Sequence, residues 1–237
     1  MMEKGIRITV DGPAGAGKST AAKAIARHLG YLYIDTGAMY RALTLKAIRR
    51  KIDLGDEKAL GDLAAGTEIR LARPDFPDGP HRVFLDGEDV TEAIRSPQVN
   101  AAVSQVARVP AVREGLVRQQ REMARDGRVV MDGRDAGTNV LPDAEVKFYL
   151  TASFETRVTR RLNEQRRQGF DVNREAVARD IAQRDAIDSN RAVAPLRKAP
   201  EAIVVDSSAL TIDQMVERML DTCRRAIEAR GASPGAR

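Results

Sequence analysis

Gly12-Pro13-Ala14-Gly15-Ala16-Gly17-Lys18-Ser19 is the stretch that decides the fold. It matches G-x-x-x-x-G-K-[ST], a pattern whose glycines let backbone N–H groups turn toward phosphate oxygens. That meaning holds only between a strand and a helix, and the flanks supply both. Ile6 to Asp11 reads as a buried strand. Beyond the loop, Ala21, Ala22, Ile25, Ala26 and Leu29 recur at helical spacing from Lys18 to Leu29, and Gly30 follows as a C-cap glycine. The helix then points its positive end at the loop. Lys18 is placed to reach β and γ phosphates, and the Ser19 hydroxyl to sit on Mg²⁺.

Working outward, Tyr31 to Asp35 reads as a second strand, Thr36-Gly37 as a turn, and Ala38 to Arg50 as a helix with Leu43, Ala47 and Ile48 inward. Val129 to Asp132, Val146 to Leu150 and Ile203 to Asp206 are short apolar runs of the kind found in buried parallel strands, with helical stretches between them. The expectation is an α/β fold with a doubly wound, five-stranded parallel sheet and ligands beyond the strand carboxyl ends. Thr67 to Arg73, His81 to Asp86 and Glu88 to Val90 suggest strands of a small β insert spanning 67–92, the first two joined by Pro74 to Pro80. Residues 154–192 read as two basic helices joined through Gly169-Phe170-Asp171, either a static hairpin or a moving lid. The expected organisation is one domain over 1–230, with its core in 1–66, 93–153 and 193–230, and a flexible tail over 231–237.

Composition narrows the class. With 43% apolar residues the chain has material for a full core, which excludes a fibrous or disordered protein. No run of 18 apolar residues exists, and Met1-Met2-Glu3-Lys4-Gly5-Ile6-Arg7 lacks the apolar core of a signal peptide, so no membrane partner and a cytoplasmic location are expected. One cysteine, Cys223, and two histidines, His28 and His81, give neither an internal disulfide nor a Cys/His zinc set. The net charge of +5 is concentrated in 151–200, where Arg alternates with Asp and Glu. With 5 Phe, 4 Tyr and no Trp, stacking platforms for single-stranded nucleic acid are hard to assemble, and a monomer acting on small molecules is expected. Of the 39 cations 31 are Arg, which suits phosphate recognition but equally follows from a biased genome.

Three charged turns accompany the loop. Asp35-Thr36-Gly37-Ala38-Met39-Tyr40-Arg41 and Val130-Met131-Asp132-Gly133-Arg134-Asp135-Ala136-Gly137-Thr138 lie at strand ends, and each reads either as a ligand-facing turn or as a capped, salt-bridged one. In Arg184-Asp185-Ala186-Ile187-Asp188-Ser189-Asn190-Arg191, Arg184, Asp188 and Arg191 fall at i, i+4, i+7, sharing one face of a helix that is either functional or merely salt-bridged. A guanine-nucleotide switch is excluded, since neither N-K-x-D nor D-x-x-G occurs. The length disfavours large ATPase machines, leaving a small-molecule kinase.

Here the sequence closely resembles the bacterial cytidylate kinases, P-loop nucleoside monophosphate kinases that phosphorylate CMP and dCMP. The resemblance runs in order over roughly residues 4–228, through Asp11 to Thr20, Asp35 to Arg41, Asn100-Ala101-Ala102-Val103-Ser104-Gln105-Val106-Ala107, Asp132-Gly133-Arg134-Asp135 and Asn190-Arg191-Ala192-Val193-Ala194-Pro195-Leu196. The D-[ST]-G-A-x-Y-R and D-G-R-D segments together are far more specific than the phosphate loop; Thr36 stands where Ser is common and keeps the hydroxyl. The resemblance implies that ATP is held by Gly12, Pro13, Ala14, Gly15, Ala16, Gly17, Lys18, Ser19 and Thr20, with Mg²⁺ on Ser19. It also implies that CMP is held by Thr36, Tyr40, Arg41, Ser104, Arg113, Arg134, Asp135, Arg184, Asp188 and Arg191. Within that set, Arg41, Arg134 and Arg191 take the acceptor phosphate, Arg184 and Asp188 the sugar, and Thr36, Ser104, Arg113 and Asp135 the cytosine. Lys18, Arg134 and Arg191, joined by lid arginines such as Arg157 or Arg161, would stabilise transfer. A kinase for another small acceptor such as UMP, or a non-catalytic ATP-binding regulatory or RNA-binding module, remain the alternatives.

Overall fold

A computed structural model describes residues 5–72, 81–167 and 169–231. In chain order its elements are β1 (Arg7–Asp11), α1 (Lys18–Leu29), β2 (Leu32–Asp35), α2 (Thr36–Arg49), α3 (Glu57–Ala65), β3 (Ile69–Ala72), β4 (Arg82–Leu85), β5 (Glu88–Asp89), α4 (Pro97–Ala107), α5 (Pro110–Met123), β6 (Val129–Gly133), β7 (Val146–Thr151), α6 (Phe154–Arg167), α7 (Arg174–Asn190), β8 (Ile203–Asp206) and α8 (Ile212–Gly231). The large sheet has five strands in the order β2-β6-β1-β7-β8. The expected α/β class and all five sheet strands are present. The turn expected at Thr36-Gly37 is instead the first turn of α2, because the Asp35 carboxylate accepts from the Ala38 N–H at 2.7 Å and starts the helix two residues early.

The chain divides into two compact units. One holds the chain up to Tyr31 and from Asp126 onward; the other is Leu32–Arg125. In the first, β1 is the middle strand, parallel to β6 with Val10 opposite Asp132, and to β7 with Val10 opposite Phe148. β7 in turn pairs in parallel with β8. Ile8, Val10, Val130, Met131, Phe148 and Leu150 are all buried, which is why these strands read as continuous apolar runs. Each such side chain contributes roughly 1.5–3 kcal/mol of burial. Strands β1 and β6 deliver Asp11 and Asp132 to their carboxyl ends. Gly30, at φ 64°, ends α1 as expected, and the Tyr31 N–H returns to the Ala26 carbonyl at 2.8 Å. α8 opens with a reciprocal cap in which Thr211 and Gln214 each accept the other's backbone N–H.

α6 and α7 form the expected helical hairpin, with a small core of Val158, Leu162, Val177 and Ile181. Its chain reversal uses Gly169 at φ 85°, and Asn173 caps α7 by accepting the Ala176 N–H at 2.7 Å. In the second unit, α3 packs on α5 and α2 on α4. β3, β4 and β5 form the antiparallel β insert, Ile69 facing Leu85 and Phe84 facing Asp89. The expected connection Pro74 to Pro80, with Arg73 at the expected strand end, lies outside the described residues, as do Met1–Lys4 and the tail beyond Gly231.

Candidate active site

The phosphate loop is held open by contacts that only glycine permits. At Gly12, φ is 148° and a Cβ would stand 1.9 Å from the Leu150 carbonyl oxygen. At Gly15, a Cβ would meet the Arg157 backbone oxygen and Cβ at 3.1 Å, so α6 lies directly on the loop. Gly17, left-handed at φ 95°, turns the chain into α1. Lys18 is buried and its Nζ donates to the Pro13 carbonyl at 2.8 Å. Burial, followed by the repulsion of Arg134, lowers its pKa to about 7, with Asp132, Asp188 and Asp11 opposing. Thr20 is an exposed residue of α1's first turn.

Ser19 Oγ donates to Asp132 Oδ2 at 2.7 Å. Two hard oxygen donors thus meet at the loop, one from its serine and one from the end of the neighbouring strand β6, which is the donor chemistry that suits Mg²⁺. No group of three or more His, Cys, Asp or Glu side chains that could hold a metal occurs among the described residues, so the fit is to a cation shared with phosphate oxygens.

Around this loop the first unit gathers carboxylate and guanidinium groups. Arg134 Nε donates to Asp188 Oδ2 at 2.7 Å, and burial, which works against the Arg134 charge, is outweighed by Asp188. Asp135 accepts from Arg191 at 2.9 Å and from Asn139 Nδ2 at 3.1 Å. Arg184 pairs loosely with Asp180 at 3.9 Å; burial depresses its pKa, Asp180 opposes, and the charges of Arg134 and Arg161 depress it further. Arg157 donates through one NH1 to Asp185 at 2.5 Å and to the Ala14 carbonyl at 3.0 Å, while Asp185 Oδ1 accepts the Ala14 N–H at 3.2 Å. Arg161 bonds Glu164 at 2.9 Å. Arg160 reaches the Ala16 carbonyl and Ser207.

One expectation fails here. Arg184 and Asp188 do lie on α7, but the helix stops at Asn190 and Arg191 is extended at φ −61°, ψ 141°. Arg191 therefore shares no helical face with them; its guanidinium is fixed by the Ala194 carbonyl and Asp135. An i, i+4, i+7 pattern takes no account of where the helix ends.

The second unit holds the remaining expected residues. Thr36 and Tyr40 are buried on α2, and Arg41 pairs with Asp35 at 3.2 Å. Arg113 of α5 lies over the Tyr40 ring at 5.4 Å and donates to the Ala107 carbonyl at 3.3 Å. Ser104 sits half-buried on α4.

The family model for cytidylate kinase matches residues 8–225. The chain belongs to the cytidylate kinase family. A cytidylate kinase of Symbiobacterium thermophilum is 55% identical over 218 residues, covering 92% of this chain and 96% of its own. One from a Geobacillus species is 52% identical, covering 95% and 100%.

Three residues of this cytidylate kinase family member make contacts in the candidate site that the sequence patterns did not assign. Asp132 is the partner of Ser19, and its signal was present: a carboxylate ending an apolar strand run. Asp185 joins the α6–α7 hairpin to the loop, whereas the helical spacing points to its neighbour Arg184. Asp11 holds the backbone after Asp135, a contact across 125 residues that no local pattern contains.

Proposed function

We propose that this chain transfers the γ-phosphate of ATP to CMP or dCMP, giving CDP or dCDP and ADP. The observation that carries the reading is geometric: Ser19 of the loop donates to Asp132 at 2.7 Å, and two residues further on Arg134 donates to Asp188 at 2.7 Å, so the loop meets the arginine cluster at one strand end, and the charges of Arg134 and Asp188 act on Lys18. A group at the loop and a group at the arginines thus lie within one field, as transfer between two phosphates requires.

The acceptor phosphate has a second pKa of ~6, so its attacking oxygen is ionised at neutral pH and needs no general base. This suits a first unit in which the only histidine, His28, is exposed and bonded to the Ala24 carbonyl. An acceptor oxygen forms the new bond to Pγ while the bond from Pγ to the bridging oxygen of ADP breaks. Lys18 and the loop N–H groups hold the donor phosphates; Arg41, Arg134 and Arg191 hold the acceptor dianion; Arg184 and Asp188 hold the sugar. Mg²⁺ held by Ser19 and Asp132 with the ATP phosphates would neutralise charge on the transferred group. Arg157 and Arg161 stabilise the transition state, and the α6–α7 hairpin serves as a lid that excludes water.

Thr36, Tyr40, Ser104, Arg113 and Asp135 would hold the cytosine. Cytosine presents an N4 donor where uracil presents an O4 acceptor, so the Asp135 carboxylate accepts from one and repels the other. The test is ADP release over a panel of CMP, dCMP, UMP and AMP. Highest kcat/KM with CMP or dCMP supports the reading; preference for UMP, or ATP binding without turnover of any monophosphate, rejects it.

A further inference from the structure

Asp11 ends β1 and directly precedes the phosphate loop, yet its side chain serves another segment. Oδ1 accepts the Ala136 N–H at 2.8 Å and Oδ2 the Gly137 N–H at 2.7 Å, so both carboxylate oxygens are committed. The group is 4% exposed. Ala136 and Gly137 open a single π turn over Ala136–Val140, immediately after Asp135. Such turns are rare and frequent at functional sites. The segment is also pressed onto β1 from above: a Cβ at Gly137 would stand 2.8 Å from Thr9 Oγ1 and 3.3 Å from Asp11 Oδ2.

A carboxylate suits this work better than an amide of the same size. Here each of two backbone donors meets its own carboxylate oxygen, whereas an amide offers one oxygen and turns its NH₂ toward the other N–H. Burial raises the Asp11 pKa to about 6 against the lowering effect of those two N–H bonds, so near pH 8 the fold retains an ionised group at a cost to its stability. The charges that face it are Asp135 and Lys18.

We propose that Asp11 is a positioning residue for base selection: by clamping the N–H groups of Ala136 and Gly137 it fixes the backbone from which Asp135 presents its carboxylate. The proposal rests on the reading of Asp135 as the group that faces the cytosine edge. Asp11 then ties the donor side to the acceptor side through one covalent step, since the next residue, Gly12, begins the phosphate loop. Its loss is expected to act more on the pyrimidine than on ATP.

The experiment measures kcat/KM for CMP and UMP, and KM for ATP, at pH 8 in the wild type, Asp11→Asn, Asp135→Ala and the double variant. Asp11→Asn keeps the volume and removes one of the two acceptors. It is expected to raise KM for CMP and narrow the CMP to UMP ratio about 5-fold or more, with KM for ATP within about twofold. In the Asp135→Ala background the same change should narrow the ratio no further, because both act through one carboxylate. Should Asp11→Asn not fold, Gly137→Ala displaces the same segment by pushing its Cβ against Thr9 and the Asp11 carboxylate, and should narrow the ratio alike. An unchanged ratio with Asp11→Asn while Asp135→Ala narrows it overturns the proposal alone. An unchanged ratio with Asp135→Ala overturns the base reading, and the proposal with it.

Discussion

The phosphate loop and the helical hairpin α6–α7 bind charge in opposite ways. In the loop, the candidate ligating groups are backbone N–H donors and one lysine, all within eight consecutive residues, and replacement of Gly12 or Gly15 would strike neighbouring backbone. In the hairpin, the groups are side chains whose partners lie far away in sequence: Arg157 with Asp185 28 positions on, and Arg134 with Asp188 54 positions on. The loop is a local structure whose shape its own residues set, with its Ala14 N–H on Asp185 and Lys18 on the Pro13 carbonyl. The hairpin is ordered by a set of ion pairs, each of which can be broken separately.

The largest effect should come from the loop's single side-chain cation. Lys18→Ala removes the charge nearest the donor phosphates, and kcat is expected to fall ~10³-fold or more while the fold persists, since no other group replaces it at the transition state. Turnover and circular dichroism on the same preparation check this. A loss below tenfold would show that the loop works through its backbone alone.

The next effect joins the two regions. Asp185 holds the Ala14 N–H of the loop and the Arg157 guanidinium of α6 at once. Asp185→Asn keeps an acceptor for Ala14 but removes the charge that orients Arg157, and kcat is expected to fall ~10- to 100-fold with KM for CMP nearly unchanged. If KM for CMP rises instead and kcat holds, Arg157 is a structural strut and the lid acts through other arginines.

The same contrast explains what the sequence made legible. The loop was legible because its chemistry and its fold are one contiguous pattern, and the expected α1 bounds, Lys18 to Leu29, are those observed. The strands were legible because burial on both faces leaves apolar runs with no alternation. The charged turns were legible only as places. Asp35 was seen beside a turn, but its capping of Ala38 turns that stretch into helix. Arg191 falls at helical spacing, but the helix ends at Asn190 and Arg191 pairs with Asp135, 56 positions earlier. Partners at such distances leave no mark on local periodicity.

Asp11 offers a test of how much stability is given up for positioning. Its pKa is raised by burial from 3.8 to about 6, so between those values the folded chain binds more protons than the unfolded one. Stability from this group is therefore highest below pH ~4 and falls as pH rises to about 6, with a slope of up to ~1.4 kcal/mol per pH unit. Urea unfolding of wild type and Asp11→Asn between pH 4 and 7 should show the wild type losing stability relative to the variant as pH rises. A difference that is flat across that window would mean that Asp11 does not titrate there.

The smallest effect separates the hairpin from the rest of its unit. Asn173 caps α7 by accepting the Ala176 N–H, one turn into the helix, and has no long-range hydrogen bond among the described residues. Removing such a cap costs about 1 kcal/mol, and replacing it with Gly only a few tenths. α7 buries only Val177 and Ile181, so the hairpin's own core is small and its opening is expected to require less free energy than global unfolding. In Asn173→Ala, amide exchange over 174–190 should then quicken about fivefold while the melting temperature moves by less than the ~2–4 °C that 1 kcal/mol gives when it acts on the whole fold. Asp56→Ala provides the reference, since Asp56 caps α3 in the same way, accepting the Ala59 N–H at 2.9 Å, on a helix packed against α5. Its loss should appear in the melting temperature of its own unit. Equal shifts in both readouts for both variants would show that the hairpin opens only with the whole chain, which removes the separate motion that a lid requires.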